Sequence, residues 1–298
     1  MARIIDGKTI AQTIRQEVQH QVENLRRSGK IPGLAVILVG NNPSSEVYVN
    51  NKARACREAG IHSITEKLPA TITEQELLER VNYYNQDSGY HGLLIQLPLP
   101  EHIDESKIVE AVSPRKDVDC FHPQNIGRLM SGQAVFEPAT PAGIIELLRY
   151  SQIDPAGKHV VILGRSNIVG KPLAMLLVQK KPGANALVTM VHTAVSDISR
   201  FTLQADILVA AIGKPEMVKG NMVKPGCVVI DVGVNRIPAE NEKGYRLVGD
   251  VAFEEVAAKA AAVSPVPGGV GPMTIAMLLK NTIKAFEIQE GVNPNLNK

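Results

Sequence analysis

The sequence predicts an α/β protein built from two parallel-sheet domains, the second one doubly wound. Short unbroken apolar runs closed by turn residues alternate with capped amphipathic segments, the pattern of buried strands and their crossover helices. These runs fall into two series, separated by a less regular stretch over about residues 113–139. A length of 298 residues is enough for two domains or one large one.

In the first series, Ile10, Ile14, Val18, Val22 and Leu25 trace one face of an opening helix. Val36-Ile37-Leu38-Val39 reads as a buried strand that ends at Gly40. Asn42 is a good N-cap for the next helix, Pro43 fits its first position and Gly60 suits its C′ position. Residues 61–68 read as a strand. Thr73-Glu74-Gln75-Glu76 is a capping box, with Leu77, Leu78, Val81 and Tyr84 as the apolar face behind it. Residues 92–97 form another buried strand, stopped by Pro98 and Pro100. Strands and helices in this order imply right-handed crossovers and a parallel sheet. Such sheets bind ligands beyond the carboxyl ends of their strands, where Gly40 and Gln96 fall.

In the second series, Thr140-Pro141 caps a helix running to about Tyr150. Apolar runs at 159–163, 186–191, 206–212 and 227–232 start about 20 to 27 residues apart, which suits a nucleotide-binding sheet. Gly268-Gly269-Val270-Gly271-Pro272 precedes a last helix with Ile275, Leu278, Leu279, Ile283 and Phe286 on one side.

Composition excludes several classes. Hydrophobic residues make up 44% and charged residues 21%, and the formal net charge is +2 with Lys and Arg dispersed, which argues against nucleic acid as the main partner. No apolar stretch reaches the ~18 residues of a membrane span, and the N-terminus lacks a signal-peptide pattern. Cys56, Cys120 and Cys227 form no C-x-x-C pair, so neither a disulfide framework nor a metal site is expected, and the cytoplasm is the default compartment.

The chemistry-bearing stretch is 36–52. Ser45, Tyr48 and Lys52 fall at i, i+3 and i+7 and share one helix face, which continues through Ala55, Cys56 and Ala59. A lysine on the stripe a helix buries has two readings. Either it snorkels its ammonium into water, or it is an amine held in a cleft and able to move protons.

The second domain offers a cofactor loop. Gly164-Arg165-Ser166-Asn167-Ile168-Val169-Gly170 lies between a strand and a helix, where glycines admit a pyrophosphate to the helix N-terminus. Ser166 occupies the place of the second glycine, and the last glycine is one residue late. The following strand runs into His192-Thr193 without an acidic residue to bind ribose hydroxyls. With Arg165 and Thr193 nearby, that absence favours NADP over NAD.

Five motifs occur in order: Tyr48-Val49-Asn50-Asn51-Lys52, Gln96-Leu97-Pro98-Leu99-Pro100, Lys116-Asp117-Val118-Asp119, the 164–170 loop, and Pro265-Val266-Pro267-Gly268-Gly269-Val270-Gly271-Pro272-Met273-Thr274. Together they resemble the bifunctional methylenetetrahydrofolate dehydrogenase/cyclohydrolase family over essentially the whole chain. The resemblance implies a homodimer whose subunits carry two α/β domains flanking a cleft, with a tetrahydrofolate one-carbon derivative in the cleft. It implies a folate-binding catalytic domain of residues 1–139 plus the terminal helix 273–298, and a Rossmann-like NADP-binding domain of residues 140–272.

Carried over by position, Lys52 matches the catalytic lysine, Gln96 its hydrogen-bond partner and Tyr48 the ring that stacks on folate. Asp119 matches the carboxylate that holds the pterin, and Ser45, Pro267 and Gly268 match further substrate contacts. Gly164, Arg165, Ser166, Thr193 and Val234 match cofactor contacts. The chain departs from the family pattern at Cys120, where glycine is expected, at Ala139, which replaces a frequent cysteine, and at Thr193-Ala194-Val195, which lacks a common basic residue and threonine.

These residue types suit the implied chemistry. Hydride removal from the one-carbon bridge yields a methenyl cation, and water addition then gives 10-formyltetrahydrofolate with proton transfer near the bridging carbon. An ammonium ~4 Å from that cation is repelled by about 4 kcal/mol at an effective dielectric of ~20, which favours the neutral amine. A glutamine orients such an amine, whereas a glutamate would hold it charged. The nearest alternative is a monofunctional NAD(P)-dependent methylenetetrahydrofolate dehydrogenase. From another class, a dinucleotide-binding regulator without turnover is disfavoured by the lysine–glutamine pairing.

Overall fold

The structure is a computed structural model that describes residues 1–241 and 244–292. In chain order its elements are β1 (Arg3–Ile4), α1 (Gly7–Arg27), β2 (Gly33–Val39), α2 (Pro43–Ala59), β3 (His62–Leu68), α3 (Glu74–Gln86), β4 (Gly92–Ile95), α4 (Glu105–Ala111), α5 (Pro123–Met130) and α6 (Ala139–Tyr150). They continue with β5 (His159–Leu163), α7 (Gly170–Leu177), β6 (Leu187–Val191), α8 (Ser199–Thr202), β7 (Ile207–Ala210), β8 (Val228–Asp231), β9 (Asn235–Pro238), β10 (Tyr245–Val248), α9 (Phe253–Ala257), β11 (Ala262–Val263) and α10 (Val270–Gln289). The chain divides into two compact units. One holds Met1–Ala11 and Thr140–Thr274, the other Gln12–Ala139 and the chain from Ile275 onward.

The second of these units carries a three-stranded parallel sheet in the order β3-β2-β4. Every residue of the central strand β2 is buried, as a strand covered on both faces requires. Leu34, Val36 and Leu38 share a core with Val49 and Cys56 of α2 and with Leu278, Leu279, Ile283 and Ala285 of α10. The last helix thus packs on this sheet. The expected helical segment extends to residue 298, of which 293–298 lie outside the described residues.

The local signals around α2 act as their chemistry dictates. The Asn42 side chain accepts the N–H groups of Ser44 and Ser45, and Gly60 closes the helix at φ 78°. Thr73 and Glu76 form a reciprocal capping box at the start of α3. The two short helices α4 and α5 have no counterpart in the sequence reading, and α5 falls inside the stretch expected to be irregular. Each begins at a local cap, Asp104 and His122 respectively, and each buries only one or two side chains, too few for a periodic signal.

The other unit has a six-stranded, all-parallel sheet in the order β6-β5-β7-β8-β11-β1. From β5 the chain steps outward to β6 and then returns to β5's other side at β7. The topological switch point, where such sheets take ligands, therefore lies between β5 and β7. The two-residue strand β1 adds to β11 through Arg3↔Ala262 and Ile4↔Val263. That pairing draws residues 1–11 into this unit, a difference from the expected domain boundary, which kept them with the first domain.

At the end of β8 the buried Asp231 has its carboxyl pushed up to about 7 by burial, against the hydrogen bonds it accepts and with the charge of Asp250 adding to the rise. The unfolded chain ionises this group near 4, so the native state binds the extra proton. Folding stability contributed here is full below about pH 4 and is lost as pH rises through about 7. Urea midpoints measured from pH 4 to 7.5 should fall in the wild type and fall less in Asp231→Asn.

Candidate active site

Lys52 is only 7% exposed, on the same buried stripe as Ser45, Val49, Ala55, Cys56 and Ala59. It does not snorkel. Its Nζ donates to Gln96 Oε1 at 3.1 Å. Tyr48, one turn earlier, sits at the stripe's edge and is 42% exposed, so a ring face is available to a ligand. Ser45 is buried at the N-terminal end of the same face, its N–H bound to Asn42 Oδ1 at 3.1 Å.

Gln96 stands just beyond β4, where its backbone N–H donates to Ile37 O of β2 at 2.9 Å. Because β4 pairs with β2, and β2 leads directly into α2, the end of β4 meets the lysine. The Gln96 amide is oriented from behind, since Nε2 donates to Leu97 O at 2.8 Å and turns Oε1 toward the amine. A neutral amide carbonyl can accept from an amine as well as from an ammonium, and it lacks the full negative charge by which a carboxylate would hold the ammonium.

Asp119 belongs to a loop bound on every side. Leu93 N donates to Lys116 O at 2.8 Å, extending the β4 edge by one parallel bridge between Leu93 and Asp117. Lys116 Nζ donates to Tyr84 O and Asp87 O, both at 2.7 Å, at the C-terminal end of α3. The Asp117 carboxylate accepts from Phe121 N, His122 N and Asn125 Nδ2 at 3.0, 2.9 and 2.8 Å, so it is the structural member of the pair of aspartates. Asn281 of α10 donates to Val118 O at 2.7 Å and to Glu137 O at 2.9 Å. Asp119 is left with no protein donor among the described residues. Its carboxyl is enclosed although part of the residue stays open, and burial raises its pKa, the Lys52 charge opposing and that of Asp117 adding. This coupling of Asp119 to Lys52, and the anchoring roles of Lys116, Asp117 and Asn281, had no periodic signature in the sequence.

Cys120 adopts φ 59°, the left-handed conformation that makes glycine the ordinary occupant. The backbone keeps the glycine-like turn. The side chain is accommodated in the core, and Sγ donates to Phe136 O at 3.3 Å. Cys56, beside Lys52, is a buried thiol pushed up to about 12 by burial, with Ser63 and Lys52 opposing, so no thiolate competes with the amine.

In the unit with the six-stranded sheet, Gly164 has φ 130°, and a Cβ there would run into the carbonyl oxygen of Ala211, just past β7. At Gly170, a Cβ would meet Gly164 O. The glycine spacing thus answers a three-layer backbone contact in which the loops after β5 and β7 touch. Ser166 Oγ accepts Val169 N at 3.1 Å and Gly170 N at 3.4 Å, capping α7 from within its own loop. The amides of residues 165–168 find no acceptor among the described residues. Such a cradle at a helix N-terminus fits the phosphates of a dinucleotide.

Gly164 N donates to Val191 O at 2.8 Å, and Leu163 pairs with Val191, so exposed Arg165 and Thr193 follow adjacent strand ends. Val234 is exposed just beyond β8. Pro267 and Gly268 lie in the loop between β11 and α10, with Gly268 at φ 109°. The structure therefore groups Lys52, Gln96 and Asp119, sets Tyr48 and Ser45 on the same helix face as the lysine, and puts the five cofactor candidates past the carboxyl ends of β5, β6 and β8.

Comparison with known proteins adds independent findings. The family model "Tetrahydrofolate dehydrogenase/cyclohydrolase, catalytic domain" matches residues 5–119, and that of the same family's NAD(P)-binding domain matches residues 138–290. The chain is 54% identical over 288 residues to "Bifunctional protein FolD" of Chloroherpeton thalassium, covering 95% of this chain and 98% of that protein. The protein of the same name from Acetivibrio thermocellus is 52% identical, over 97% of this chain and 98% of its own length. The crystal structure of the bifunctional methylenetetrahydrofolate dehydrogenase/cyclohydrolase from Campylobacter jejuni superposes with a TM-score of 0.92 at 46% identity, over 97% of this chain and all of that one. The Trypanosoma brucei methylenetetrahydrofolate dehydrogenase-cyclohydrolase, complexed with NADP cofactor and inhibitor, also gives 0.92, at 39% identity over 98% of this chain and 99% of that one.

Proposed function

The chain belongs to the tetrahydrofolate dehydrogenase/cyclohydrolase family, and from that premise we propose that Lys52, Gln96, Tyr48 and Asp119 perform its folate chemistry while Gly164, Arg165, Ser166, Thr193 and Val234 hold NADP. The enzyme oxidises 5,10-methylenetetrahydrofolate to 5,10-methenyltetrahydrofolate with NADP and hydrolyses that product to 10-formyltetrahydrofolate. When bound, NADP accepts the hydride from the one-carbon bridge.

The protein's own residues do the rest. Asp119 accepts two N–H groups of the pterin, which its unpaired carboxylate leaves it free to do. Tyr48 lays its ring against the folate, and Ser45, Pro267 and Gly268 complete the substrate contacts. For hydrolysis, the neutral Lys52 amine takes a proton from water as its oxygen bonds to the methenyl carbon. The same group returns that proton to the ring nitrogen as the carbon–nitrogen bond breaks, and the new hydroxyl on the carbon releases its own proton to solvent as it becomes the formyl carbonyl on the other nitrogen. Gln96 keeps the amine's lone pair aimed without fixing its charge. A homodimer in the cytoplasm is part of the reading, and three buried free cysteines favour a reducing compartment.

The single observation that carries this assignment is a buried lysine held by an amide oxygen at 3.1 Å. The Asp119 role has its own test. Asp119→Asn exchanges a charge-assisted acceptor for a neutral one, so the KM for methenyltetrahydrofolate should rise about 10- to 100-fold while NADP affinity stays as it was. An unchanged KM removes Asp119 from the substrate site.

A further inference from the structure

Two buried aspartates of the unit with the six-stranded sheet have no part in the chemistry above. Asp250 is 0% exposed. One of its carboxylate oxygens accepts the N–H groups of Ile212 at 2.7 Å and Gly213 at 2.9 Å, and the other accepts Asn235 Nδ2 at 2.9 Å. Asp231 in turn accepts the N–H groups of Asp250, Val251 and Gly233 at 2.9, 3.0 and 3.1 Å. Its own N–H donates to Ser264 Oγ at 2.8 Å. Each carboxylate lies close against a glycine. A Cβ at Gly233 would strike the Asp250 carboxylate, and one at Gly249 would strike that of Asp231.

The segments tied by Asp250 are those that border the ligand end of the sheet. Ile212 and Gly213 directly follow Ala211, whose carbonyl lies against Gly164 at the switch point. Asn235 directly follows Val234, a cofactor candidate. One carboxylate with two acceptor oxygens reaches both loops at once. Removing it would leave the amides of Ile212 and Gly213 and the Asn235 carboxamide without this acceptor at a part-buried site.

We propose that Asp250 is a positioning residue for the dehydrogenase reaction, holding the loops after β7 and β8 in the arrangement that receives NADP, with Asp231 holding Asp250. This inference rests on the reading that NADP lies beyond the carboxyl ends of β5 and β7.

The carboxylate is specifically required. In Asp250→Asn one end of the new amide becomes a donor and faces donors already present, either the two backbone N–H groups or Asn235 Nδ2. Combining that change with Asn235→Asp lets the new amide nitrogen donate to the new carboxylate, while its oxygen keeps Ile212 and Gly213.

Three proteins, wild type, Asp250→Asn and the double variant, are compared by NADP titration calorimetry and by hydrogen exchange without cofactor. Cyclohydrolase turnover, which uses no NADP, serves as the control for folding. Asp250→Asn should weaken NADP binding by about tenfold or more and speed exchange in peptides spanning 211–214 and 233–236, with cyclohydrolase turnover retained. The double variant should recover both. Unchanged affinity or unchanged exchange in Asp250→Asn overturns the proposal, as does a double variant that recovers neither. If Asp250→Asn does not fold, Asn235→Ala, which cuts only the tie to the loop after β8, decides. A severalfold loss of affinity supports the role and no loss overturns it. Failure of the wild type to bind NADP would instead overturn the cofactor reading itself.

Discussion

Lys52→Met should give a folded protein that no longer hydrolyses methenyltetrahydrofolate. Positioned proton transfer contributes about 10²- to 10⁴-fold, and hydrolysis should fall by that factor when the amine is removed. Methionine keeps an unbranched stem of similar length on a stripe that is already buried, so the packing survives. Its principal structural cost is that Gln96 Oε1 loses its donor, about 1–3 kcal/mol at a partly buried site. The phosphate cradle at Gly164 and Gly170 involves no residue of α2, and NADP affinity should be unchanged. Hydrolysis assayed directly from methenyl substrate, beside far-UV circular dichroism and NADP titration, checks all three statements. Wild-type turnover in this variant would remove the lysine from the mechanism.

The partner of the lysine decides how the amine behaves. In Gln96→Glu a carboxylate replaces the amide oxygen that now sits 3.1 Å from Nζ. At ~4 Å and an effective dielectric of ~20, an opposite charge is worth about 4 kcal/mol, all of it favouring the ammonium. That is as large as the repulsion from the methenyl cation and opposite in sign. The substitution also removes the Nε2 donor that Leu97 O now receives, so the new side chain lacks the tie that orients the old one. The expected result is a folded enzyme that still binds substrate but hydrolyses it poorly at neutral pH.

Parts of this architecture could be read from the sequence because their causes are local. Asn42, Pro43 and Gly60 delimit α2 by capping chemistry that acts within a few residues, and the observed helix uses all three. The i, i+3, i+7 spacing set Tyr48 and Lys52 on one face without tertiary information. The partnership of Lys52 with Gln96 is different. The two are joined only because β4 lies beside β2 in the sheet, and the resemblance, not the spacing, led to it.

Asp117 and Asp119 show the limit more sharply. Both sit in one turn-rich loop two residues apart, and only the surrounding donors make one a structural anchor and leave the other free. The hairpin of β9 and β10, the two-residue strand β1 and the short helices α4 and α5 each lack a run long enough to carry periodicity. The glycine spacing at 164 and 170 departed from the common fingerprint because it answers contact with Ala211, more than forty residues away in the chain, as well as the helix.

If the enclosed Lys52 amine moves the protons of hydrolysis, the acceptor beside it sets the pH range in which it works. The pH–rate profile of methenyltetrahydrofolate hydrolysis by Gln96→Glu, set against wild type, tests it most directly. The rise of activity with pH should shift upward by roughly one unit or more in the variant, so that raising the pH recovers part of the lost rate. A profile of the same shape at the same position, whatever its height, would contradict it.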